Sequence, residues 1–240
     1  MRGRWTIVRG ALVCVLAVVC AGCANSHAGP STAPQAAPEA VSFQPFPPCT
    51  EGPSSPYVDD FRGVTIVPMV GARRDAELAA EIVRDGFVLP VRVLPERPIP
   101  PTACRGAEQV VLERLMEAAH GSTLPRRTII VVTAHDLRSD TYPWQFGGWW
   151  PERNLGVIST ARLTDHRGVE SGARATRRRL TTLVNKYVLV LYFDAATRPA
   201  DDSSSLLGPK YSFEQLDVAQ RDPCEYRSEV VTDAALLRCS

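Results

Sequence analysis

The sequence predicts an α/β fold: a single domain on a twisted mixed sheet of about four strands, with crossover helices and one long helix. Three observations lead there. Strand-like and helix-like segments alternate from Gly63 onward, the order of a layer built from right-handed crossovers. Thr128-Ile129-Ile130-Val131-Val132 is apolar and β-branched throughout, which suits a strand covered on both faces. A helical stretch of about twenty residues follows the fourth predicted strand.

The elements follow in order. Val64-Thr65-Ile66-Val67 is a short apolar run suited to a buried strand. Ala72 to Asp85 reads as a helix, with Leu78, Ile82 and Val83 at helical spacing. Val88 to Leu94 alternates as a second strand, and the prolines from Pro95 to Pro101 make a loop. Ala107 to Ala119 is predicted helical, with Val111, Leu112, Leu115 and Met116 on one face. Ser139 to Asn154 is a long aromatic loop or edge segment, and Leu155 to Thr160 a fourth strand. Gly172 to Leu191 is read as the long helix, although Val188-Leu189-Val190-Leu191-Tyr192-Phe193 at its end has strong strand propensity. Phe213 to Gln220 is a last short helix.

Residues 1–22 have the composition of a processed export signal: Arg2, Arg4 and Arg9, then an apolar run from Ala11 to Val19 too short for a permanent span. Cys20-Ala21-Gly22-Cys23 fits a lipoprotein cleavage site, with Cys23 diacylated as the new N-terminus. An ordinary secretory signal cut near Ala24 is the alternative, and either exports the chain. Two acyl chains give durable attachment where one does not, so the expected location is extracytoplasmic, anchored to a bacterial cell membrane. Residues 23–56, rich in Ala, Pro and Ser with few large apolar side chains, read as a tether, and 57–240 as the folded domain.

The net charge of +1, with acids and bases balanced, excludes a nucleic-acid partner held by phosphate contacts. The run Arg174, Arg177, Arg178, Arg179 reads as a helix face. Beyond the export signal the chain keeps Cys49, Cys104, Cys224 and Cys239, an even number in an oxidising setting. Two disulfides are expected. Three connectivities remain open, of which Cys49 with Cys104 and Cys224 with Cys239 leaves the shortest loops.

Three segments in order carry a family resemblance: Val132-Thr133-Ala134-His135-Asp136-Leu137, Trp144-Gln145-Phe146-Gly147, and Gly156-Val157-Ile158-Ser159-Thr160-Ala161-Arg162-Leu163. Together they resemble the archaemetzincins, one-domain zinc peptidases of the metzincin group, over about Gly63 to Cys224. Arg105-Gly106-Ala107-Glu108-Gln109 is similar to a helix start of that family. The resemblance implies a zincin-like domain with a long active-site-type helix, on which the family carries His-Glu-x-x-His-x-x-Gly-x-x-His. Here that helix reads Leu183-Val184-Asn185-Lys186-Tyr187-Val188-Leu189-Val190-Leu191-Tyr192-Phe193. Asn185 then replaces the first histidine, Lys186 the general base, Leu189 the second histidine and Tyr192 the glycine. The family's Met-turn corresponds to Ser205-Leu206-Leu207, without methionine, and its second, cysteine-rich zinc site is reduced to Cys224 with Tyr226 nearby.

No zinc or other cofactor is therefore expected, and the domain reads as a degenerate, non-catalytic peptidase homologue. The alternatives are a zinc-independent hydrolase, with Asp136, His135 and His166 as first candidates where His135-Asp136 and Asp165-His166 could meet, or a structural interaction module. Trp144, Phe146, Trp149 and Trp150 gather on one short segment and form the candidate binding groove for a peptide or envelope partner. Gly147-Gly148 would let that segment move.

Overall fold

The computed structural model describes residues 61–106, 109–119, 124, 126–163, 172–197, 202, 204–210, 212–230 and 234–239. The export signal at 1–22, Cys23, the tether at 23–56, the boundary at 57, and Cys49, His27, His120, Asp165 and His166 lie outside the described residues.

The apolar runs form the sheet. β1 (Gly63–Pro68) and β8 (Leu155–Ser159) are buried along their whole length, as is β5 (Arg127–Thr133) beyond its first residue. With β2 (Val91–Val93) and β7 (Gly147–Trp150) they make a five-stranded sheet in the order β2-β1-β5-β8-β7. The first four strands are parallel and β7 runs antiparallel to β8, pairing Gly147 with Ile158 and Trp150 with Leu155. A smaller sheet joins β3 (Cys104–Arg105), β4 (Gln109–Val111) and β6 (Asp136–Arg138).

Side chains alternate across a strand, so each buried strand feeds two cores. Val64, Ile66, Ile130, Val132 and Ile158 face the layer of α1 (Arg73–Gly86) and α3 (Gly172–Tyr192). Val67, Ile129, Val131, Leu155 and Val157 face Leu112, Leu115 and Met116 of α2 (Leu112–Ala119). Each such aliphatic side chain contributes about 1.5–3 kcal/mol on burial. Two-sided coverage explains why the strand sequences lack polar alternation. α1 has no side-chain cap of its own; Glu96 Oε1 instead accepts from the Gly71 and Arg73 N–H groups at 3.2 and 3.1 Å.

Three expectations need correction. The helix predicted over Ala107 to Ala119 begins only at Leu112, because Gln109, Val110 and Val111 pair with Asp136, Leu137 and Arg138 as β4. The second strand shrinks from Val88–Leu94 to three residues. The aromatic segment supplies the fifth strand, β7, where about four strands were predicted. The long helix runs as predicted, and its strand-prone end stays helical through Tyr192, since Thr182 to Tyr192 is buried all round. Asp194 in the left-handed region, φ 54°, follows the helix end, and Ala195 N–H returns to Leu189 O at 3.0 Å. The last short helix, α4 (Phe213–Val218), starts with a capping box between Ser212 and Gln215.

Cys224 and Cys239 are joined by a disulfide, and Cys104 is disulfide-bonded to a cysteine outside the described residues. No helix among the described residues is long and apolar enough to cross a membrane.

Candidate functional site

α3 carries the positions that the resemblance assigns to zinc chemistry, and packing has filled them. Leu189 is fully buried in the α1–α3 core and Tyr192 is nearly so. Asn185, 3 % exposed, donates from Nδ2 to Arg221 O at 2.9 Å, while its Oδ1 is buried with no hydrogen-bond partner. Lys186, 2 % exposed, donates from Nζ to Gly208 O at 2.7 Å and lies 4.4 Å from the centroid of the Trp149 ring.

The turn that accepts from Lys186 is the segment corresponding to the Met-turn. Leu206 and Leu207 are fully buried, and the Tyr226 hydroxyl accepts from Leu206 N–H. Lys210 directs Nζ to Ser205 O at 2.6 Å and Gly208 O at 3.0 Å, with Pro209 O at 3.5 Å. Two lysines thus converge on Gly208 O. Burial, and then the neighbouring Lys210 charge, push the Lys186 ammonium down to about 7. Burial lowers Lys210 to about 8, against an upward pull from Asp202.

These donors do not fit a zinc ion. A structural or catalytic zinc takes three or four N, S or O ligands. Here one amide oxygen stands beside an ammonium that has only donors and a leucine that has no ligand atom. No group of three or more His, Cys, Asp or Glu able to hold a metal occurs among the described residues.

Other bonds fix α3 against the C-terminal part. Arg179 is fully buried and pairs with both oxygens of Asp217, Nε to Oδ1 at 2.8 Å and Nη2 to Oδ2 at 2.9 Å. Its Nη1 donates to Leu163 O at 2.9 Å, and its guanidinium lies over the Phe213 ring. The arginine run is therefore structural at this point, and Arg177 faces Glu81 and Asp85 on α1.

The aromatic segment borders a cavity of about 860 Å³, walled by β7, by α2 and by the Pro209-Lys210 turn. Trp144, Trp149 and Trp150 line it and are half-buried. Phe146, expected among them, is 3 % exposed and turned into the core, its ring edge-on to Trp144 and Phe213. All four residues of β7 border the cavity. Among the described residues β7 is the last strand of its sheet, and its second edge pairs with no other strand. Phe146 O accepts from Ser159 N–H, so alternation turns the main-chain groups of Gly147 and Trp149 away from β8, toward that free edge. Gln145, also on the wall, has a buried Nε2 without a partner.

Sequence reading missed Glu113, Glu117 and Lys210 on the cavity walls. The signal for the glutamates was present, since Glu113 and Glu117 are four residues apart beside the apolar pair Leu112 and Met116. Nothing local marks Lys210.

Of the histidine–aspartate candidates, His135 and Asp136 are among the described residues. His135 is 1 % exposed, its ring beside Thr133 Oγ1 at 3.4 Å. Asp136 is held by Arg162, Nε to Oδ1 and Nη2 to Oδ2 each at 2.6 Å, and accepts from Gln109 Nε2 at 3.1 Å. Its oxygens thus serve a salt bridge that orients the loop after β8.

No family profile matches the chain, and no curated protein sequence matches it. Two solved structures are similar. Archaemetzincin from Methanopyrus kandleri superposes with TM-score 0.56 at 17 % identity, over 72 % of this chain and 94 % of that one. Archaemetzincin from Archaeoglobus fulgidus, complexed with malonate, gives TM-score 0.54 at 16 % identity, over 66 % and 93 %. At this identity the likeness shows the fold alone: this chain has the mixed α/β fold of the archaemetzincin-like zincins.

Proposed function

We propose that this chain is a non-catalytic, membrane-tethered binding protein that takes an extended peptide, from an envelope protein or a secreted chain, in the groove beside β7. The observation that carries the reading is the state of α3. Asn185, Lys186 and Leu189 are buried and committed to packing and to bonds with Arg221 O and Gly208 O, so no water could be activated there. The groove beside them stays open. An unpaired strand edge offers main-chain donors and acceptors for strand addition, and pockets alongside give side-chain preference. Lipidation at Cys23 and the 23–56 tether would hold the domain outside the cytoplasmic membrane, within reach of such chains.

The test uses the exported chain with its disulfides intact. Titration with terminally blocked peptides should quench or shift the fluorescence of Trp144, Trp149 and Trp150 saturably, with no cleavage detected by mass spectrometry over a day. Turnover of any of these peptides, or a flat fluorescence titration with all of them, would defeat the proposal.

A further inference from the structure

Resting on that reading of the groove, we propose that it selects an extended peptide carrying a basic side chain among large apolar ones, with Glu113 and Glu117 as the seat of the positive charge. The glutamates stand one turn apart on α2, and both border the cavity next to Leu112 and Met116. Both are exposed, and neither has an ion pair or hydrogen bond among the described residues. They are therefore two carboxylates without a partner among the described residues, on the rim of a largely apolar cavity.

The other charge on the walls does not offset them as a binding group. Lys210 faces the cavity, but its ammonium is directed to Ser205, Gly208 and Pro209 carbonyls of its own turn. A ligand carboxylate would find no free donor there. Each indole already has a cation against its ring: Arg153 at 4.3 Å from Trp150, Lys186 at 4.4 Å from Trp149 and Arg162 at 5.1 Å from Trp144. The ring electrons that would attract a ligand cation are thus already engaged, leaving the indoles to apolar side chains and the glutamates to charge. Gln145 Nε2 adds an unpartnered donor for a ligand carbonyl, which an extended main chain supplies. Side chains alternate along a strand, so one peptide added to β7 can present apolar groups to the indoles and a basic group to α2.

The experiment compares terminally blocked hexapeptides of valine, phenylalanine and serine that differ only in a central lysine, norleucine or glutamate. Binding to the full exported chain is read by tryptophan fluorescence at low and at moderate salt. The lysine peptide should bind about fivefold more tightly than the norleucine peptide at low salt, the effect of two exposed ion pairs, and added salt should shrink the difference. In the variant E113Q/E117Q, whose two changes lie on an exposed face, the lysine and norleucine peptides should bind alike. Equal binding of all three peptides, or preference for glutamate, would overturn the charge assignment and leave the groove reading standing. Binding of none would overturn the groove reading itself.

Discussion

Lys186 is a cation placed where burial disfavours it, and that sets a testable pH dependence. Its folded-state pKa, about 7, lies below the 10.5 of an unfolded lysine, so between these values the unfolded chain holds more protons than the folded one. Stability therefore rises with pH across that window and is lowest beneath it. Lys186→Met should raise the urea midpoint at pH 6 and flatten its rise toward pH 9, leaving the smaller slope due to Lys210. An unchanged slope would show that the ammonium is not desolvated. Arg179 is a different case, because its charge is fully compensated. Asp217→Asn removes one partner of a buried, bidentate pair and should cost about 3–5 kcal/mol in denaturant unfolding. A cost below about 1 kcal/mol, the range of exposed pairs, would mean that the pair is solvated.

At the level of elements, the parts legible in the sequence were those whose signal is local. β1, β5 and β8 carry largely apolar runs and α1 carries helical periodicity, so their type and order could be read directly, whereas the end of α3 is apolar all round and reads as either helix or strand. β7 could not. Gly147-Gly148 has low strand propensity, and the segment is a strand because β8 offers it a ladder in space. The same holds for β4, three residues whose partners in β6 lie 27 positions later. The glycine in β7 is required by its neighbours: a Cβ at Gly147 would meet Val157 O at 2.3 Å and the Tyr187 hydroxyl at 2.6 Å. Gly147→Ala should therefore force β7 from β8, cost about 1–3 kcal/mol, and weaken peptide binding together with stability. A variant as stable as the parent would show that β7 is loosely seated. At the candidate site, the sequence alone shows that Asn185, Lys186 and Leu189 are poor metal ligands, because that follows from side-chain chemistry. The spacing of the α2 glutamates was there to be read, but their meeting with Lys210 at one cavity was not, since it depends on the fold.

For the whole molecule, a few specific bonds join α3, the turn around Gly208 and the C-terminal segment. The Lys186–Gly208 bond joins α3 to the turn beneath it, and the Cys224–Cys239 disulfide with the Tyr226–Leu206 bond joins the C-terminal segment to that turn. Closing a loop of 15 residues contributes about 3 kcal/mol in the chain-entropy account. Replacing both Cys224 and Cys239 by alanine should lower the unfolding free energy by about that amount, with peptide binding retained at 20 °C. Loss of binding without loss of stability would place the disulfide in the groove's function. The most direct test of the account is the metal content of the exported chain after equilibration with zinc and gel filtration, read by mass spectrometry. The account predicts far less than one zinc per chain, and the same for K186E, since a single carboxylate beside Asn185 and Leu189 completes no ligand set. One zinc per chain, retained through filtration, would contradict it.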